Sequence, residues 1–105
     1  MGRTWFMSDK TIYKYKTQSS AKFRKHLKLA EKRQKGSSGK VLEVVDILAQ
    51  GKPLSERYHD HALTGNWAGH RECHIMPDLL LIYRIIDDIL ILELVDTGTH
   101  SDLFK

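Results

Sequence analysis

A chain of 105 residues, 41% hydrophobic and 29% charged, has room for one domain with a thin core and too much apolar content for wholesale disorder. Its single cysteine, Cys73, excludes an internal disulfide, and no apolar run approaches the roughly 18 residues that span a membrane. The net charge of +4 conceals a division: residues 1–40 carry 12 Lys/Arg against 2 Asp/Glu, and residues 41–105 carry 5 against 11. A segment that basic is either a solvated helix or a surface for a polyanion or an acidic protein.

Met1 to Lys10 is polar, lacks the apolar stretch of a signal peptide, and reads as a flexible extension of a cytoplasmic protein. Ile12 to Thr17 alternates apolar and polar residues and predicts a strand. Ser19 or Ser20 can then cap a helix whose apolar stripe is Phe23, Leu27 and Ala30. Lys22, Arg24, Lys25, Lys28, Lys32 and Arg33 fill most of its other faces, and Gly36 is the expected C-cap. Gly36-Ser-Ser-Gly39 is read as a turn, and a second helix as running from about Lys40 to Gln50 with Val41, Val44, Val45 and Leu48 inward. Gly51 and Pro53 stop it.

Further along, Arg71 to Met76 predicts a strand and Pro77-Asp78 a turn. Leu79 to Ile86 is a near-continuous apolar run, as expected of a strand covered on both faces. Asp87-Asp88 turns the chain back into Ile89 to Val95. The expectation is one α+β domain spanning 1–105, with a layer of two helices on an antiparallel sheet.

Between Tyr58 and Asp78 the chain is polar and dense in histidine. Three readings compete. His59, His61, His70, Cys73 and His74 are all metal-ligand types, but no C-x-x-C or H-E-x-x-H spacing occurs, and adjacent Cys73 and His74 point to opposite faces of a strand. Alternatively the histidines are surface residues, Tyr83 is core, Trp67 covers an edge, Phe104 plugs the sheet end, and Thr97-Gly-Thr99 is only a turn. The third reading is metal-free acid–base cleavage of RNA. A 2′-hydroxyl nucleophile needs a base, the leaving 5′-oxygen needs an acid, and the phosphate needs cations. Histidine titrates near neutrality, Asp78 can act as a base or orient a histidine, and Arg71 and Arg84 can fork onto phosphate oxygens.

The string Asp60-His61-Ala62-Leu63-x-Gly65-x-Trp67-x-Gly69-x-Arg71-Glu72-Cys73-His74-Ile75-x-Pro77-Asp78, followed by Thr97-Gly-Thr-His100-Ser-Asp-Leu-Phe104, resembles the YafQ-like branch of the RelE/ParE toxin superfamily. The resemblance implies a RelE-like fold, with two N-terminal helices on one face of an antiparallel sheet. It also implies the toxin of a type II toxin–antitoxin pair, an endoribonuclease that cuts mRNA in the ribosomal A site with no metal or other cofactor. A cognate antitoxin would block it, and promoter DNA would be met only through that antitoxin. The site residues implied are His61, His74, Asp78, His100 and Phe104. His100 is the leading acid or base, with His74 and Asp78 sharing the partner role. His61 would stabilise charge, Arg71 would be a phosphate clamp or a structural ion pair, and Phe104 would stack on a base. Lys22, Arg24, Lys25, Lys28, Lys32 and Arg33 would then face ribosomal RNA. Two departures stand out: Leu79 where relatives often have Trp, and Asp96 where a basic residue is common. The rivals are a non-catalytic binding member of the superfamily, a ParE-like gyrase inhibitor and a zinc-dependent protein.

Overall fold

The computed structural model describes residues 11–104, and the expected extension at 1–10 lies outside them. Within the described chain β1 (Lys16–Ser19) leads into α1 (Ala21–Arg33) and α2 (Ser37–Ala49). A short β2 (His61–Ala62), then β3 (Arg71–Met76), β4 (Leu79–Ile86) and β5 (Ile91–Gly98) follow, and α3 (His100–Leu103) ends the fold. One five-stranded sheet results, in the order β1-β5-β4-β3-β2. No described helix is long and apolar enough to cross a membrane.

β1 begins four residues later than the alternation predicts, and it runs parallel to β5, so one edge departs from the otherwise antiparallel sheet. The physical reason lies in its partners. Lys14 N and Tyr15 N donate to Ala49 O at the end of α2, and only at Lys16, whose N–H reaches Leu90 O, does the chain meet β5. Local alternation places Tyr15 inward, where it is buried, but it carries no information about where a pairing edge starts.

Ser20 caps α1, accepting from Phe23 N at 2.9 Å while its hydroxyl donates to Val95 O at 2.7 Å, so one side chain fixes the helix entry onto β5. Phe23 and Ala30 are buried as the stripe requires. Gly36 is not the C-cap of α1, a place taken by Gln34; it is the N-cap of α2, in the left-handed region at φ +95°. α2 therefore starts at Ser37, inside the segment read as a turn. What makes this possible is Glu31. Its carboxylate accepts from Gly36 N (3.0 Å), Ser38 N (2.9 Å) and the Ser38 hydroxyl (2.7 Å), supplying partners that the first turn of a helix lacks. Those bonds hold the Glu31 carboxyl down at about 2.

β4 is buried from Leu79 through Tyr83 and has a neighbour on each side. Leu79, Leu81 and Tyr83 pack with Phe23, Val41, Val44 and Leu48 beneath the helices. Leu80 and Ile82 pack on the other face with Leu103, Leu63, Trp67 and Val95. Replacing either fully buried leucine, Leu80 or Leu81, with Ala is expected to cost about 2–5 kcal/mol in urea unfolding. Leu80→Ala alone is expected to speed hydrogen exchange at the Leu103 and Phe104 amides. Equal effects of both variants on those amides would contradict the division into two clusters.

Candidate active site

The period of two along β3 sets Glu72 and His74 on the face opposite Arg71 and Cys73. β2 pairs His61 directly with Glu72. The chain reaches that register through His59, a non-glycine residue in the left-handed region at φ +48°. Glu72 is buried, only 4% exposed. Its Oε1 lies 3.4 Å from His61 Nε2 and 3.7 Å from His74 Nε2. His61 Nδ1 meets His59 O at 2.8 Å, so both ring nitrogens of His61 face acceptors.

From His74 a row of rings crosses the open face. Centroids are 6.4 Å apart between His74 and His100, 5.8 Å between His100 and Phe104, 6.0 Å between Phe104 and Trp67, and 5.4 Å between Trp67 and His70. His59 and His61 flank His74 at 5.6 and 6.2 Å. His100 is carried by α3, which Thr99 and Asp102 fix with a reciprocal capping box. Arg33 of α1 grips the same Asp102 at 2.8 and 3.4 Å. Gly98, at φ +147°, is required here, because a Cβ would fall 2.7 Å from Asp102 Oδ2. Thr97-Gly-Thr99 is thus more than a turn: it seats the histidine that follows.

The structure brings His61, His74, His100 and Phe104 together. Asp78 stands in the β3–β4 turn, exposed, lining a cavity of about 410 Å³ with Arg33 and Thr99. Arg71 is found in the ion pair rather than on the histidine face. Its Nη2 lies 3.1 Å from Asp60 Oδ2, and Tyr83 donates to the same carboxylate at 2.6 Å. Arg84 is committed to Glu93 at 2.9 Å. Lys22, Lys25, Lys28 and Lys32 are exposed along α1, and Lys22 Nζ is 3.8 Å from Asp96. Asp96 itself is buried and structural: His26 Nδ1 meets it at 2.6 Å and Thr97 N donates to it at 2.9 Å. Its carboxylate pins α1 to β5, where a basic residue could not.

Glu72 escaped the sequence reading, its one signal being its place two residues before His74. Cys73 is buried beneath the helices, and burial pushes its thiol up to about 12, so it takes no part. The potential ligand atoms of His61, Glu72 and His74 all lie within 4.8 Å of one another.

The fold is RelE-like. Residues 15–105 match the family described as the bacterial toxin of type II toxin–antitoxin systems, YafQ. The mRNA interferase toxin YafQ of Escherichia coli K12 is 39% identical over 85 residues, covering 81% of this chain and 90% of the relative. The crystal structure of the E. coli DinJ–YafQ complex superposes at a TM-score of 0.77 with 37% identity, over 87% of this chain and 99% of that one. A metal-bound toxin from Helicobacter pylori does so at 0.78 with 41% identity, over 86% and 99%. The chain therefore belongs to the YafQ family of type II toxin–antitoxin toxins.

Arg33 and the Thr99 amide lower the Asp102 carboxyl to about 2, as the amides of Gly36 and Ser38 do for Glu31. Depressed carboxyls stabilise the fold above their unfolded values and lose that contribution as pH falls through the folded values. Thermal unfolding between pH 5 and pH 2 is therefore expected to show a falling Tm, with a shallower fall in Asp102→Asn. An identical slope in the variant would show that this pair does not link folding to pH.

Proposed function

We propose that this toxin is an mRNA interferase, a ribosome-dependent endoribonuclease that cuts translated message by attack of the 2′-hydroxyl on its own 3′-phosphate. The observation that carries the reading is the row of imidazoles on one open face, two of them bracketing the buried carboxylate of Glu72. In this reading a base removes the 2′-proton, the oxygen bonds to phosphorus, and the bond to the 5′-oxygen breaks as an acid protonates it. The products are a 2′,3′-cyclic phosphate and a free 5′-hydroxyl. His100 is the leading acid or base, and His74 with Asp78 supplies the partner. His61, oriented by Glu72, stabilises the charge on the phosphate, and Phe104 stacks on a base. Side chains able to make both proton transfers need no ion or cofactor. Arg71 and Arg84, each held in an ion pair, are not needed for it.

Lys25, Lys28 and Lys32, with Lys22 and Arg33 beside them, form the face offered to ribosomal RNA and to an acidic antitoxin. A cognate antitoxin as partner is supported by the E. coli relative solved with DinJ. Promoter DNA would be reached only through that antitoxin, and the site of action is the cytoplasm. A gyrase inhibitor would have no use for paired imidazoles on a buried carboxylate.

In a reconstituted translation reaction, primer extension is expected to show cuts within codons of translated message. His100→Ala and His74→Ala are each expected to lower cutting by about 10²–10⁴-fold, and Glu72→Gln by about 10²-fold. Intact message with the wild-type chain, alongside growth arrest in cells, would overturn the nuclease reading.

A second reading is favoured by the three clustered ligand groups and by the metal-bound H. pylori toxin. Two imidazoles and a carboxylate suit Zn²⁺ or Cu²⁺. An ion there would occupy the nitrogens that proton transfer needs. Chelation is then expected to preserve cutting and added Zn²⁺ to suppress it. Cutting that is lost on chelation and restored by Zn²⁺ would make the enzyme metal-dependent instead.

A further inference from the structure

The cavity of about 410 Å³ beside the histidine row is not used by the acid–base chemistry, apart from Asp78 on its rim. Its size falls in the range of about 300–1,000 Å³ typical of small-molecule sites. Ala30 and Leu79, both buried, make an apolar floor with Met76. Gln34 is exposed on the rim, and its backbone N–H alone serves as the α1 cap, to Ala30 O at 3.0 Å. Ser37 is 3% exposed, lines the same cavity, and its hydroxyl has no hydrogen-bond partner among the described residues. A buried hydroxyl without a partner is costly unless something completes it.

An apolar floor, an amide on the rim and an unfilled hydroxyl in the lining suit one class of ligand. A nucleobase offers a π-face to the floor and donors and acceptors along its edge. A sugar or phosphate would leave the floor unused. Two lining residues tie the cavity to the segment that carries the row: Thr99 directly precedes His100, and Arg33 holds α3 through Asp102.

We propose that this cavity is the base pocket of the enzyme, taking the base of an mRNA nucleotide beside the cut and reading its edge through Gln34 and Ser37. The assignment rests on the RNA-cutting reading for its purpose, but binding can be measured without cutting.

Purified full-length chain is titrated with AMP, GMP, CMP, UMP and ribose 5-phosphate while NMR follows the Leu79 methyls and the Gln34 side-chain amide. One mononucleotide is expected to move both signals at the lowest concentration, ribose 5-phosphate neither. Gln34→Ala, a change at an exposed position, is expected to weaken that nucleotide by about tenfold, the size of one lost hydrogen bond. In the translation reaction the same variant is expected to flatten the base preference at a fixed position relative to the cut. Equal shifts with ribose 5-phosphate, or binding and cut positions unchanged in Gln34→Ala, would overturn the pocket. Selective base binding by a chain that leaves message intact would support the pocket and refute the cutting reading. Cutting without any base binding would do the reverse.

Discussion

The sheet's middle strand is buried on both faces, and the rest of the molecule is arranged to satisfy that. Leu80, Leu81 and Ile82 are without exposure at all, and each such side chain contributes about 1.5–3 kcal/mol only if water is kept off it. The helices cover one face with a broad layer. Among the described residues the other has only Leu63, Trp67, Val95 and Leu103, drawn from loops, β5 and the four-residue α3. So small a cover leaves part of that face open, and Glu72, His74 and His100 lie in the opening. The candidate site is where the second core stops.

Charge is spent internally before it is offered outside. The sequence divides into a basic front and an acidic back, which suggests two surfaces. Part of the division closes on itself instead. Asp96 takes His26 and Lys22, Asp102 takes Arg33, and both acids lie in the segment that carries His100. α1 is thereby tied to the site at two points, while Lys25, Lys28 and Lys32 stay exposed along it. The departure at Asp96 follows from the same economy: a cation there would have faced His26 and Lys22 with nothing to balance it.

How much of this was legible depended on how far away the deciding partner lay. β4 and the stripe of α1 follow from periodicity, because burial on one face or two is written into neighbouring residues. The start of β1 was not, since it waits on Leu90, and the start of α2 was not, since it waits on Glu31. Gly36 looked like an ending because glycine so often is one; the carboxylate from the preceding helix makes it a beginning. The resemblance named the histidines and the aromatic as a set, and the structure places their rings side by side. Arg71 stood between two readings that only the strand's facing could separate. Glu72 stood in the motif without a role, because a charged residue in a strand is ordinarily an exposed one.

Glu72 also shows what the site costs the fold. A carboxylate this buried is expensive unless paired, and among the described residues the ring nitrogens within reach are those of His61 and His74. Contacts at 3.4 and 3.7 Å are longer than good charge-assisted hydrogen bonds, so the pairing is incomplete. A core residue of similar size would serve stability better. What the carboxylate supplies is orientation: one oxygen faces a ring nitrogen of His61 and a ring nitrogen of His74. A site assembled in advance spends no substrate binding energy on assembling itself. The fold bears that cost through the core of β4, the neighbouring strand, where Glu72 pairs with Ile82.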